Sequence, residues 1–265
     1  ARDFKTKYIS TGAATVSQDE NQVLSDMECG EGYDRSSLEL LGDQKKLINA
    51  VAATGKPMVI VYIAGRPLNM NLANEKAKAL LTAWYPGEQG GNAIADVLFG
   101  DYNPSGRLPV SIPRNVGQLP VYYSQGKQRD YVEGPGSPLF QFGYGLSYTK
   151  FEYSDLMMEP GNSQDDMETV SCTVKNIGGR DGDEVVQLYL QDMVSSVATP
   201  PIMLKAFEKI NLKKGESKKV TFKLGKEQLS LYNSKFEEVV EPGDFKVMIG
   251  PASNDIKLEG IFTIK

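Results

Sequence analysis

Apolar residues fall into three kinds of pattern along this chain. Over residues 44–54, Leu47, Ile48, Val51 and Ala52 recur at i, i+1, i+4 and i+5, which is one face of a helix. Asp43 stands where an N-cap is expected and Gly55 where a helix stops. The run Met58-Val59-Ile60-Val61-Tyr62-Ile63-Ala64-Gly65 is continuous and β-branched, and it reads as a strand buried on both faces. Ala73, Ala77, Leu80 and Leu81 predict a second helix over 72–84, and a third is expected over 91–99, closed by Gly100. Residues 109–113 suggest one more short strand. Residues 114–150 are dense in Gly, Pro and Tyr and carry no periodicity, as a functional loop or an inter-domain wrap does.

From residue 151 the period becomes two. Strands are expected over 170–174, 185–190, 219–224, 245–249 and 260–264, most of them followed by turn residues such as Ile177-Gly178-Gly179 or Pro242-Gly243-Asp244. This spacing suits a β-sandwich of about seven strands, of immunoglobulin or fibronectin III type. The pattern therefore predicts an α/β plus all-β chain. Residues 1–113 form a layered α/β domain, 114–150 an extended linker or wrap, and 151–265 the sandwich.

Composition narrows the chemistry. The 265 residues carry 29 Lys+Arg against 34 Asp+Glu, and the whole excess of −5 falls on 151–265 while 1–150 balance. Neither half offers the basic face that nucleic acid or an anionic membrane attracts, and no apolar run is long enough to cross a bilayer as a helix. The chain has no histidine, so neither a Ser-His-Asp nor a Cys-His site can be assembled from it. Its two cysteines, Cys29 and Cys172, fall in different expected domains and form no CxxC pair. No metal site and no cofactor is expected. The start, Ala1-Arg2-Asp3-Phe4-Lys5, is neither a signal peptide nor an initiator methionine and reads as that of a fragment or processed chain.

Three segments carry a more specific signal. The first is Cys29-Gly30-Glu31-Gly32-Tyr33-Asp34-Arg35, with Gly65-Arg66-Pro67 after the first helix. The second runs from Ala83-Trp84-Tyr85-Pro86-Gly87-Glu88-Gln89-Gly90-Gly91 through Asn103-Pro104-Ser105-Gly106-Arg107-Leu108-Pro109. The third is Phe140-Gln141-Phe142-Gly143-Tyr144-Gly145-Leu146-Ser147-Tyr148. Together they resemble the C-terminal portion of glycoside hydrolase family 3, of the β-glucosidase-like kind. The resemblance implies a partial three-layer α/β sandwich domain, truncated at its N-terminal side, followed by a fibronectin type III-like domain. It also implies a separate barrel that carries the aspartate nucleophile and has no counterpart in this chain.

In that family a Gly-Glu-Gly-Tyr-like loop holds the acid/base, so the resemblance marks Glu31 as the catalytic carboxyl. The position of Cys29 departs from the small polar residue usual there. Retaining glycosidases use two carboxyl groups, one as nucleophile and one as acid/base, and flanking glycines leave the backbone around Glu31 unhindered. Without the resemblance, a lone glutamate in such a loop reads as a solvated surface group. Tyr33 is the candidate substrate-binding residue, by stacking on a sugar; packing under the loop is the alternative. Glu28 reads as a charged loop residue, and Asp34 and Arg35 as a mutual pair.

Trp84 and Tyr85 are possible aromatic platforms, although Trp84 at a helix end reads as core. The glycines of 87–91 lack the spacing of a phosphate cradle. The aromatic run 140–148 reads as a packing wrap, and the sandwich shows no chemistry of its own. The implied function is retaining hydrolysis of terminal β-D-glucosyl residues of oligosaccharides or β-glucosides. This chain would supply the acid/base loop and the barrel would be its partner. A non-catalytic carbohydrate-binding or scaffolding role is the alternative, as is a β-xylosidase activity within the family. The resemblance favours a periplasmic or extracellular setting.

Overall fold

The computed structural model describes residues 6–8, 14–16, 36–126, 128–163 and 166–265, with side chains described from residue 36 on. Two compact units are present: residues 1–85 with 114–117, and residues 86–113 with 118–265.

In the first unit, β1 (Thr6–Tyr8) and β2 (Ala14–Val16) form an antiparallel pair. Helix α1 (Gln44–Ala52) follows, then β3 (Val59–Tyr62), α2 (Asn71–Lys76) and β4 (Ala79–Thr82). Strands β3 and β4 are parallel, Val59 opposite Ala79 and Tyr62 opposite Thr82, with α2 as the crossover. Backbone bonds from Lys78 N to Met58 O and from Ala83 N to Tyr62 O, both 2.8 Å, extend the ladder at each end.

The second predicted helix is corrected here. It ends at Lys76 because Ala77 turns extended (φ −82°, ψ 149°), and Leu80-Leu81 pair with Ile60-Val61 instead. Sheet pairing overrides the helix preference of an Ala- and Leu-rich run. β3 is also less buried than its sequence suggests: Val59 is 48% exposed, and Tyr62 is the strand residue that is fully covered.

The second unit opens with α3 (Gly90–Phe99), closed as expected by Gly100 in a left-handed conformation. The expected strand at 109–113 is an isolated bridge between Ile112 and Phe140. Pro109 and Pro113 have no N–H to donate, which leaves little of this segment able to enter a ladder. After a 3-10 turn at Val116–Gln118, the chain enters the sandwich.

Strands β5 (Phe151–Ser163), β6 (Asp166–Asn176) and β9 (Ser217–Leu224) form a three-stranded antiparallel sheet, order β5-β6-β9. Strands β7 (Gly182–Asp192), β8 (Met203–Leu212), β12 (Gly243–Gly250) and β13 (Leu258–Ile264) form the second sheet, order β13-β12-β7-β8. A short helix α4 (Lys226–Leu229) and the small hairpin β10 (Leu231–Tyr232) and β11 (Glu238–Val239) lie between β9 and β12.

The seven long strands match the expected number. Their inward residues, among them Val170, Cys172 and Val220 from one sheet and Val186, Leu188, Val247 and Ile249 from the other, form one core. The outward faces of β7 and β12 are also covered in part. Tyr123 stacks on Phe142 at 4.2 Å and meets Tyr189 edge-on at 6.2 Å.

Segment 86–113 is tied to this sandwich by polar contacts. Arg107 pairs with Glu184 on β7, the two side chains only 10% and 4% exposed, and also donates to Gly145 O. Asn103 donates to Asp181 O at 2.9 Å and accepts from Ser147 Oγ and Tyr148 N. The Tyr148 hydroxyl donates to Val97 O at 2.7 Å, and Arg180 lies over the Tyr148 ring while donating to Gly100 O. These contacts make the aromatic run at 140–148 a packing element.

Burial pushes the Glu184 carboxyl above its usual range, although Arg107 and the Val185 N–H, bonded at 2.7 Å, favour the ionised form. A carboxyl raised in the folded state holds its proton where the unfolded chain has lost it, so stability falls as pH rises through that window. Arg107→Met leaves the buried carboxylate unpaired and raises it further. We expect a loss of about 3–5 kcal/mol at neutral pH, shrinking on acidification as Glu184 takes up a proton. Urea unfolding of both proteins at about pH 8 and about pH 5 measures this difference. An equal deficit at both pH values would show that Glu184 ionisation is not its cause.

Candidate active site at the carboxyl edge of the parallel strands

Ligands of α/β sheets gather where strands end, and in the first unit that edge is formed by the residues after Tyr62 and Thr82. The residue after Ala83 is exceptional. Trp84 has φ +50°, a left-handed conformation that costs a bulky side chain about 1–2 kcal/mol. It therefore does not end a helix in the core; it is a partly buried residue at a bend of the chain after β4. Tyr85 follows and is 74% exposed. Its phenol end lies on the backbone of Gly65, where an added Cβ would come within 2.2 Å of the hydroxyl. Only glycine permits that approach.

The loop after β3 is organised by Asn69. Its backbone N–H donates to Leu38 O at 2.6 Å. Its side-chain amide donates to Glu39 Oε1 at 2.6 Å and to Arg114 O at 3.1 Å, and its Oδ1 accepts from Asn71 N at 2.9 Å. Asn71 Nδ2 donates to the same Arg114 carbonyl at 2.7 Å, and Glu39 is ion-paired with Lys45. The Tyr62 hydroxyl donates to Asn69 O at 3.3 Å, and burial together with the nearby Glu39 pushes its pKa up to about 12, so it stays a neutral donor.

One asparagine thus joins three segments: 38–39, the loop after β3, and residue 114. The sequence pattern does not single it out. The signal available there is its position, a polar residue a few places beyond the end of a parallel strand.

Glu31 and Tyr33, the predicted catalytic and substrate-binding residues, lie outside the described residues, as do Glu28, Cys29, Asp34 and Arg35. The described chain resumes at Ser36, and the second and third residues beyond that, Leu38 and Glu39, are the ones Asn69 holds. Among the described residues no cluster of three or more His, Cys, Asp or Glu is placed to hold a metal ion, and no helix is long and apolar enough to cross a membrane.

Asn69→Ala removes three side-chain hydrogen bonds and is expected to cost about 1–3 kcal/mol. Amide exchange over 37–41 should accelerate relative to the sandwich strands. Unchanged exchange there would mean that the Asn69 side chain is not what anchors this stem.

Comparisons with known proteins agree with this architecture. Residues 10–148 match the model of the glycosyl hydrolase family 3 C-terminal domain, and residues 184–253 that of the fibronectin type III-like domain. The chain is 45% identical over 248 residues to a periplasmic beta-glucosidase of Salmonella typhimurium, covering 88% of this chain and 32% of that protein. It is also 45% identical over 240 residues to a beta-xylosidase of Formosa agariphila, covering 86% and 33%. A solved β-glucosidase structure from Erythrobacter marinus superimposes with a TM-score of 0.82 at 44% identity, over 90% of this chain and 32% of that one. The chain spans about a third of the length of these relatives.

Proposed function

The chain belongs to glycoside hydrolase family 3, as its C-terminal α/β domain and fibronectin type III-like domain, and on that footing we propose that it supplies the acid/base half of a retaining β-glucosidase. The observation that carries this is the loop Gly30-Glu31-Gly32-Tyr33. In the proposed reaction Glu31 protonates the glycosidic oxygen while a carboxylate of the barrel attacks the anomeric carbon. A covalent glycosyl-enzyme forms and the aglycone leaves as an alcohol. Glu31, now ionised, takes a proton from water, which attacks the anomeric carbon and frees the sugar with retained configuration. Tyr33 contacts the substrate beside it. The tether from Asn69 to Leu38 and Glu39 supports this reading, because a loop that must place one carboxyl within about 5–5.5 Å of another needs a fixed stem.

The glycone is proposed as β-D-glucose. A xylosyl glycone is the second reading, since the relatives named for glucosidase and for xylosidase activity are equally similar to this chain. A relative named periplasmic supports a setting outside the cytoplasm.

In the complete enzyme, barrel included, Glu31→Gln should slow alkyl β-glucosides, which have poor leaving groups, by roughly 10²–10⁴-fold. Glucosides with acidic aryl leaving groups should lose much less in the glycosylation step. Unchanged turnover of an alkyl glucoside would remove the assignment. The chain by itself is expected to show no turnover of a chromogenic β-glucoside, and activity without the barrel would contradict the proposed division of the site.

A further inference from the structure

Two exposed aromatic residues stand on the small hairpin β10-β11 of the sandwich, and one of them is strained. Phe236 has φ +62°, a left-handed conformation that hairpin loops normally give to glycine, and it is 89% exposed. Neither the backbone nor burial favours a phenylalanine there, yet the loop is firmly held. Asn233 Oδ1 accepts from Lys235 N at 2.9 Å and from Glu237 N at 3.1 Å. Its Nδ2 donates to Glu237 Oε2 at 3.0 Å, and its carbonyl accepts from Phe236 N at 3.0 Å. Tyr232, 67% exposed, lies directly across the ladder from Glu238. The Glu238 carboxylate is itself fixed, by Ser230 Oγ at 3.0 Å and Lys226 Nζ at 3.3 Å. Backbone strain that a structure maintains points to function at the residue that bears it, and here the strain displays a ring to solvent.

We propose that Tyr232 and Phe236 form a sugar-stacking platform on the fibronectin type III-like domain, which binds a β-1,4-linked pyranose chain without cleaving it. The inference rests on the chain's membership of a glycoside hydrolase family and not on Glu31. A pyranose ring has apolar C–H faces that stack on aromatic rings and hydroxyls at its rim that donate to carboxylates, here those of Glu237 and Glu238. Other occupants fit less well. A stable protein partner needs about 1,600 Å² of buried surface, whereas two aromatic side chains supply about 300–500 Å². An anionic membrane or nucleic acid is repelled by the excess of acidic residues in this half of the chain.

The test titrates the chain with cellohexaose and with xylohexaose, followed by backbone amide NMR. The amide signals of residues 230–239 should move with at least one of the two. Phe236→Gly and Tyr232→Ala should each weaken that binding roughly threefold to tenfold. Glycine is unstrained at φ +62°, so Phe236→Gly should keep or raise the unfolding midpoint while affinity falls. A residue that served only the fold would lose stability instead. Phe207→Ala, which removes another exposed aromatic, on β8, should leave the affinity within roughly twofold of the parent.

The proposal is overturned if neither oligosaccharide moves the signals of 230–239, or if both hairpin variants bind within roughly twofold of the parent. An equal loss in Phe207→Ala overturns it too. So does a parent chain that sediments as a dimer where Phe236→Gly is a monomer, because a second copy would then cover the rings. Glu31→Gln should bind both oligosaccharides through the hairpin as the parent does, so failure of the acid/base assignment and failure of the platform are read separately.

Discussion

The buried pair of Arg107 and Glu184 constrains the larger unit more than any other single contact. Glu184 lies on β7, in the middle of the four-stranded sheet, and its carboxylate is tolerable there because a guanidinium and a backbone N–H meet it. Arg107 in turn binds Gly145 O. Three segments far apart in sequence must therefore assemble before the charge is compensated. A buried ion pair adds little net stability but makes incomplete assembly costly, so its effect is to specify one arrangement of 86–113 and 139–148 against the sandwich.

The same logic applies to the polar groups of the segment richest in distinctive residues. Asn103, Ser147, Tyr148 and Arg180 spend their polar atoms on backbone carbonyls and on one another. Such groups would be expensive to bury unpaired, and their mutual satisfaction keeps this part of the molecule fixed. In the smaller unit the parallel pair β3 and β4 ends in a strained tryptophan, an exposed tyrosine and an asparagine that ties down residues 38 and 39.

Elements whose pattern is local are legible in the amino-acid sequence alone. Helices α1 and α3 appear where periodicity places them, with Gly100 as the stop, and five strands of the sandwich follow period two. The two long strands that alternation does not predict each break that pattern. In β5 a bulge between Ser154 and Met157, with Asp155 at φ +54°, shifts the alternation. In β8 a register shift opposite Leu188 and Tyr189 does the same. The run at 77–84 misleads for a different reason, since Leu80-Leu81 can serve a helix or a parallel strand equally well and only pairing with β3 decides.

By itself, the sequence determined the class of fold, the family and the candidate carboxyl at residue 31, because motifs and periodicities are properties of neighbours along the chain. Only the tertiary structure decided that Leu80-Leu81 is a strand, that Trp84 is a strained turn residue and not core, that Asn69 pins the stem from residue 38, and that Arg107 finds its counter-charge on β7. Each of these depends on a partner distant in sequence, and no local pattern records the distance that folding brings to zero.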